Sequence, residues 1–190
     1  DSGVGLLLDK VKALGLDKNT YIIYTSDNGA VPVMPPKSYY AQGTNTPLSR
    51  GKWDAMEGGI RVPFIISGPR IKRGSASQTP ISFSDVLPTV VDLAGTELPL
   101  MDELDGGSFK QLLFRRGKGK VKRKTNALIF HVPYENGIAL KRAHSAIIID
   151  HFKLIKFYDN NEIKLFDLDV DYGENNDLAH SCSEKAKILE

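Results

Sequence analysis

The first thirty residues constrain the fold of this chain more than any other part. Residues 3–14 place Leu7, Val11 and Leu14 on one face of a predicted helix. A short loop then leads to residues 21–25, a nearly continuous apolar and β-branched run, which is typical of a strand buried on both faces of a parallel sheet. A helix, a loop and a buried strand in this order predict an α/β fold.

Polar residues follow this predicted strand directly, where α/β sheets collect their ligands. Asp27 offers a carboxylate and Asn28 an amide oxygen, the hard ligands that suit Ca²⁺ or Mg²⁺. Gly29 would let the backbone turn, so that both side chains reach one ion. The triplet by itself also fits an ordinary turn.

A glycine-rich stretch farther along the chain carries a second candidate, Lys52. A lysine on such a loop is a mobile point charge that can reach an anionic group. Glu57 and Arg61 bracket a Gly-Gly pair, and we predict that they form an ion pair where the loop enters the next strand.

The remaining pattern predicts further elements on both sides of a basic segment. Before it we expect a strand at 62–66, a helix at 84–94 with Pro88 in its first turn, and a helix at 109–114 capped by Ser108. After it the periodicity changes to that of an antiparallel meander with a short final helix. The predicted strands and helix are residues 127–130, 143–149, 152–158, 163–168 and 183–189.

The basic character of the chain is local. The formal net charge is +2, yet residues 115–124 alone hold seven basic side chains and no acid. A solvated linker is the favoured interpretation, and binding of a sulfated polymer or nucleic acid is the alternative. Because no aromatic residue is interleaved for base stacking, we do not predict nucleic acid as a partner.

Other bulk features exclude several classes. No apolar run approaches the roughly 18 residues that a membrane span needs. The single Cys182 excludes an internal disulfide framework and a metal site made only of thiolates. The N-terminus lacks the basic start and cleavage site of a signal peptide and begins close to a helix, so we expect an upstream part to be missing.

Several segments resemble the sulfatase family of the alkaline-phosphatase-like superfamily, in the family's order and spacing. They are TYIIYTSDNG, GKWDAMEGGIRVPFIISGP, FSDVLPTVVDLAG, LDGGSF, ALIFHVPY, RAHSAIIIDHFKLI and KLFDLDVDYGENNDLA. The resemblance implies an α/β fold with a partial alkaline-phosphatase-like sheet, here the C-terminal part of the catalytic domain at residues 1–114. A basic linker at 115–124 and a small antiparallel α+β subdomain at 125–190 would follow.

The resemblance also assigns roles to the candidate residues. It implies that Asp27 and Asn28 are metal ligands, with Ca²⁺ the usual ion, and that Lys52 is a catalytic residue that contacts the sulfate. Sulfatases use a formylglycine made from a Cys/Ser-x-Pro-x-Arg motif in the N-terminal half, and this sequence has no such motif. Cys182, followed by Ser-Glu-Lys-Ala, does not match it. The chain is therefore expected to carry part of an active site and to be inactive alone.

Two further residues are candidates for substrate binding. Arg50 stands where the family usually has a small residue, so it either binds a second anionic group of the substrate or faces solvent. His131 follows a predicted strand, at a position near the family's substrate pocket, or is structural. The other histidines are weaker candidates, and the run 169–173 is predicted to be a turn because its spacing does not match a calcium-binding loop.

We therefore expect a sulfuric ester hydrolase of the arylsulfatase type, acting on a sulfated small molecule or glycan. The alternatives are a phosphodiesterase or phosphonate hydrolase of the same superfamily, and a non-catalytic carbohydrate-binding module. The resemblance also implies export, to the periplasm, the lysosome or the outside of the cell, and association with the N-terminal half of the same protein.

Overall fold

The computed structural model describes residues 1–31, 44–97, 103–135 and 142–190. The chain folds into two compact units. Unit 1 consists of residues 1–25 and 63–124, and unit 2 of residues 26–62 and 125–190. Each unit is therefore built from two separate stretches of sequence. The division predicted at residues 114 and 124 stays a prediction.

Five α-helices and six β-strands are formed by the described residues. The helices are α1 (Ser2–Ala13), α2 (Glu57–Ile60), α3 (Val86–Ala94), α4 (Lys110–Phe114) and α5 (Ser183–Leu189). The strands are β1 (Ile22–Thr25), β2 (Phe64–Ser67), β3 (Leu128–Val132), β4 (His144–Ile149), β5 (Phe152–Phe157) and β6 (Ile163–Asp167). Within the described ranges, no helix has the length and apolarity that crossing a bilayer requires.

Strands β1 and β2 of unit 1 pair antiparallel, with Ile22 opposite Ser67 and Thr25 opposite Phe64. The prediction of a parallel sheet around β1 was wrong for this pair. An apolar, β-branched run indicates a partly buried strand, but it does not indicate whether the neighbouring strand runs parallel or antiparallel to it. β1 is also only half-buried, with Tyr24 exposed.

The apolar core of unit 1 lies around α4, where Phe109 and Leu112 pack with Val121, and Val91 of α3 is also buried. Pro88 lies in the first turn of α3, and Gly95 ends the helix in the left-handed conformation at φ 69°, as predicted. Ser108 accepts a hydrogen bond from the Lys110 N–H at 3.2 Å, but α4 begins at Lys110 with Phe109 as its N-cap, one residue later than predicted.

Part of the basic segment 115–124 is packed into unit 1. Val121 is buried in the core, and Arg123 pairs with the fully buried Asp85 through Nη2 and Oδ2, 2.6 Å apart. Arg123 Nε also donates to Asp85 Oδ1 at 2.8 Å. The expectation of a fully solvated linker was therefore wrong for these two residues. A run of seven basic residues does not indicate that one of them pairs with a buried carboxylate elsewhere in the chain.

Unit 2 contains the predicted meander, with strand order β3-β4-β5-β6 and antiparallel pairing throughout. Burial alternates along β4, as expected for a sheet with two different faces. One apolar cluster includes Ala55 and Met56 from the loop before α2. The other includes Ala186 and Leu189 of α5, so the terminal helix predicted from the sequence covers part of the sheet.

The turn between β5 and β6 is held by Arg142, which predicts a pH dependence. Its guanidinium donates to Asp159 Oδ1 and Glu162 Oε2, both at 2.7 Å, and lies 3.9 Å from the Phe157 ring centroid. These hydrogen bonds hold the pKa of Asp159 and of Glu162 below their ordinary values. Since the folded pKa is depressed, this stabilisation is present above the ordinary values of 3.8 and 4.5 and is lost as pH falls through the folded pKa.

We therefore expect Arg142→Met to speed amide hydrogen exchange in the β5–β6 hairpin at pH 7. The difference from the parent protein should shrink as pH falls below the ordinary values of 3.8 and 4.5, and it should be lost once pH has passed the lower pKa values of the folded state. Lys187→Met, which removes an exposed helical ion pair with Glu184, is the control and should leave hairpin exchange unchanged. An effect of Arg142→Met that stays the same as pH is lowered from 7 through the folded pKa values would contradict this assignment.

Candidate functional site

The predicted metal ligands lie in the turn directly after β1, within unit 2. The Asn28 N–H donates to Asp27 Oδ1 at 3.0 Å, and Ser26 Oγ donates to the Asn28 carbonyl at 2.9 Å. The Asp27 side chain is exposed and Asn28 is half-buried. A carboxylate and an amide oxygen fit a hard divalent cation in type. Because Ca²⁺ takes about 6–8 oxygens, this pair supplies only part of a coordination shell.

Gly29 joins this turn to the Gly-Gly pair at the start of α2. Its N–H donates to the Gly59 carbonyl at 2.9 Å. A Cβ on Gly29 would lie 1.7 Å from the Gly58 carbonyl oxygen, a distance that no side chain tolerates. The glycine was predicted to allow a turn, and the structure gives a further reason for it, which is the close approach of two backbones.

The loop that carries Lys52 is tied to the same turn. The Lys52 N–H donates to the Ala30 carbonyl at 3.0 Å. Asn45 accepts the Ala30 N–H through Oδ1 at 2.9 Å, and its Nδ2 donates to the carbonyls of Ala30 and Arg50 at 3.0 and 2.9 Å. The structure therefore brings the lysine loop beside the turn of Asp27 and Asn28. The role of Asn45 was missed, because nothing in its local sequence marks it.

The backbone around Lys52 adopts conformations that side chains rarely accept. Arg50 has φ 61° and Trp53 has φ 81°, on either side of the lysine. For a bulky residue such as Trp53 this is an outlier, and such outliers persist where the surrounding structure fixes them. Lys52 Nζ lies 5.7 Å from the centroid of the Trp53 ring, a weak cation–π contact. The loop is thus held in one shape by its contacts.

Arg50 does not simply face solvent. Its Nε donates to Asp54 Oδ2 at 2.8 Å, and its side chain is 35% exposed. Asp54 is buried, and this burial raises the pKa of its carboxyl even though Arg50 opposes the shift. The pairing gives Arg50 a structural partner, and its predicted contact with a second anionic group of the substrate stays a prediction.

Glu57 forms the predicted ion pair with Arg61, 3.1 Å between Oε2 and Nη1. The structure adds two partners that the sequence did not reveal. Lys153 Nζ lies 2.9 Å from Glu57 Oε1, and Glu174 Oε2 accepts the Glu57 N–H at 2.7 Å. Glu57, which directly precedes the glycine pair, is therefore anchored to the C-terminal part of unit 2.

His131 lies on β3 and is exposed. Its Nδ1 is 2.6 Å from Ser145 Oγ, which is 2.7 Å from the Tyr158 hydroxyl. These contacts belong to the sheet, and the described contacts do not join His131 to the loops of Asp27 and Lys52. Its contact with substrate remains a prediction.

His144 is buried and supports the Lys52 loop. Its Nδ1 lies 2.7 Å from the Arg142 carbonyl, which can only accept, so Nδ1 donates. Nε2 accepts the Ala55 N–H at 3.1 Å. Both ring nitrogens are therefore used by a neutral imidazole. His144 was a weak candidate in the sequence analysis, because a partner 89 residues away cannot be recognised from the residues around it.

A second group with metal-ligand atoms lies at the base of the β5–β6 hairpin. Ligand atoms of His151, Asp167 and Asp169 lie within 4.8 Å of one another. The group could hold a metal ion. Exposed acidic groups are, however, common without one, and the family resemblance points to Asp27 and Asn28.

Two family descriptions match this chain. "Sulfatase" matches residues 1–96, and "N-sulphoglucosamine sulphohydrolase, C-terminal" matches residues 52–189. Mouse (Mus musculus) steryl-sulfatase is 36% identical over 153 residues, which is 75% of this chain and 24% of that protein. N-acetylglucosamine-6-O-sulfatase of Bacteroides thetaiotaomicron is 31% identical over 180 residues, 94% of this chain and 30% of that protein.

A solved structure similar to this chain contains the protein BT4656 with its substrate D-glucosamine-2-N,6-O-disulfate. The TM-score is 0.76 at 29% identity, and the alignment covers 99% of this chain and 36% of that one. The chain thus spans about a quarter to a third of the length of the curated relatives described above.

Proposed function

Because this chain belongs to the sulfatase family, we propose that it forms part of a sulfuric ester hydrolase in which Asp27 and Asn28 bind a divalent cation and Lys52 contacts the sulfate group. The predicted fold, a partial alkaline-phosphatase-like sheet with an antiparallel C-terminal sheet, is confirmed by the structure and by its similarity to sulfatase structures. The observation that carries the proposal is the hydrogen bond from the Lys52 N–H to Ala30, two residues after Asn28.

The arrangement suits electrostatic stabilisation of a transferring sulfuryl group. The ammonium of Lys52 would neutralise charge on the non-bridging sulfate oxygens, and the loop's fixed shape means that little reorganisation is needed when charge develops. Asp27 and Asn28 would hold the cation, with Ca²⁺ preferred and Mg²⁺ possible for their oxygen donors. When bound, such a cation polarises the sulfate oxygens as a Lewis acid. The nucleophile, a formylglycine by family resemblance, would come from residues outside this sequence.

Sulfated sugars are the proposed substrate class. One similar structure holds a disulfated glucosamine as its substrate, and one relative is named for sulfated N-acetylglucosamine. Arg50 and His131 are the residues we propose to contact other parts of such a substrate. Export of the complete protein is part of the same proposal.

The test compares aryl sulfate and aryl phosphate hydrolysis by the complete protein that carries these residues. We expect sulfate ester hydrolysis that stops on chelation of divalent cations. Lys52→Met should lower kcat/KM by about 10²- to 10³-fold, the usual effect of losing one stabilising group at a transition state. Lys72→Met, an exposed lysine of unit 1, is the matched control and should leave the rate unchanged.

Three outcomes would overturn the proposal. A clear preference for the phosphate ester would favour a phosphodiesterase or phosphonate hydrolase. Glycan binding without hydrolysis of either ester would favour a non-catalytic module. Full activity of the Lys52→Met protein would remove Lys52 from the site.

A further inference from the structure

Lys153, Glu57 and Glu174 are here called the ion cluster. The turn that contains Asp27 and Asn28 is called the metal turn, and the loop that carries Lys52 is called the Lys52 loop. We propose that the ion cluster positions the metal turn and the Lys52 loop without touching substrate. The inference rests on the proposed function, since it assigns these residues to the support of that site. It concerns three segments far apart in sequence, which are α2, β5 and the turn after β6.

The ion cluster is fully enclosed within unit 2. Lys153 is 0% exposed, and its Nζ lies 2.9 Å from Glu57 Oε1 and 2.7 Å from Glu174 Oε1. The contact with Glu174 Oε1 is an ion pair without the alignment of a hydrogen bond. Burial raises the pKa of the Glu174 carboxyl, although Lys153 opposes the shift. Glu174 Oε2 in turn accepts the Glu57 N–H.

The charges of the ion cluster balance only when Arg61 is counted with it. Arg61 occupies the second oxygen of Glu57, so two cations face two carboxylates. The neighbours of Lys153 on β5, Leu154 and Ile155, are buried and apolar. Apolar residues at both 153 and 174 would suit such a core at least as well for stability, because desolvating a buried ion pair offsets most of its attraction. A role in fixing geometry accounts for a lysine at this position.

Contacts lead from the ion cluster to both loops. Glu57 is followed by Gly58 and Gly59, and the Gly58 N–H donates to the Ser49 carbonyl at 2.7 Å. The Gly59 carbonyl accepts the Gly29 N–H at 2.9 Å, one residue after Asn28.

The backbone segments that make these contacts are tightly packed. A Cβ on Gly58 would lie 2.4 Å from the carbonyl oxygens of Ser49 and Arg50, so backbone packs directly on backbone. A shift of Glu57 would therefore move the metal turn and the Lys52 loop together. Partners of this kind, which orient the ligands of a metal without binding it, typically change metal affinity by about 10- to 100-fold when removed.

The test uses Lys153→Met in the complete protein, with Lys156→Met as the matched control. Lys156 is also on β5 and also pairs with a glutamate, Glu190 at 2.8 Å, but its side chain is 34% exposed. We expect Lys153→Met to weaken Ca²⁺ affinity about 10- to 100-fold in calorimetric titration. In metal-free protein it should also speed amide hydrogen exchange in residues 27–31 and 49–59. Lys156→Met should change neither.

Two further variants make the result specific. Asp27→Asn identifies the Ca²⁺ signal that belongs to the proposed site and separates it from binding at His151, Asp167 and Asp169. Lys153→Met/Glu174→Met removes one cation and one carboxylate, so no unpaired charge is left buried and Tm should recover at least in part. Ca²⁺ affinity should stay low in this variant, because Glu57 has lost both anchors.

Recovery of Ca²⁺ affinity and of slow exchange together with Tm would show that the cluster only supports the fold, and would overturn the inference. Unchanged affinity and exchange in Lys153→Met would overturn it as well. If the parent protein hydrolyses no sulfate ester, the proposed function fails, but the exchange of metal-free protein still decides whether the cluster positions these loops.

Discussion

Gly29→Ala is expected to lower sulfate ester hydrolysis by about 10²-fold or more and to weaken divalent cation binding. The added Cβ would lie 1.7 Å from the oxygen and 2.8 Å from the carbon of the Gly58 carbonyl. Neither atom belongs to a flexible side chain, so the two backbones must move apart. A displacement of about 1 Å at a positioning contact is enough for a loss on the order of 10²-fold.

Steady-state kinetics and Ca²⁺ titration of the complete protein measure this effect, with Gly5→Ala as the control. A Cβ on Gly5 meets no heavy atom within 4 Å. Because Gly5 lies inside α1, its replacement should stabilise the helix by about 0.5–1 kcal/mol and leave activity unchanged. Near-normal activity of Gly29→Ala would show that the metal turn does not depend on the contact with Gly58.

Arg123→Met is expected to lower the free energy of unfolding by about 3–5 kcal/mol, the usual result of leaving a buried charge without its partner. Asp85 is 0% exposed and receives both Nε and Nη2 of Arg123. Its carboxylate also accepts the N–H groups of Ser82 and Gly107, which join the start of the helical segment before α3 to the segment before α4. Two backbone donors would remain, but the compensating charge would be gone.

Urea denaturation followed by circular dichroism measures this loss. Lys120→Met is the control, because Lys120 is exposed and belongs to the same basic segment. We expect it to change stability by less than about 0.5 kcal/mol. Equal losses in the two variants would indicate that the net charge of the segment matters and that the buried pair does not.

The elements with strong local patterns could be predicted from the sequence. The four strands of the C-terminal sheet are short runs rich in apolar residues, and short turns connect β4 to β5 and β5 to β6, so the antiparallel meander could be predicted. Gly95 has a left-handed conformation that few other residues adopt, which explains why it marks the end of α3 so well. Asp27, Asn28 and Lys52 were found because their chemistry and order resemble a known family.

The supporting residues could not be predicted, since their roles depend on distant partners. Lys153 in a strand suggests a solvent-facing lysine, and its burial depends on Glu57, 96 residues earlier. Glu174 directly follows residues 169–173, which were predicted to be a turn and form one, but nothing there indicates that its side chain is buried. In the sequence Asn45 resembles any loop asparagine, and its hydrogen bond with Ala30, 15 residues earlier, is seen only in the structure.

The division of unit 2 into residues 26–62 and 125–190 has a consequence for synthesis on the ribosome. The proposed ligands and Lys52 emerge early, but Lys153 and Glu174, which anchor their support, emerge more than a hundred residues after Lys52. Until then Glu57 has no ammonium from β5 beside it. The centre is therefore completed only when the last quarter of this sequence has been translated, and a premature stop before residue 153 would leave every proposed ligand in place around a loop that lacks these anchors.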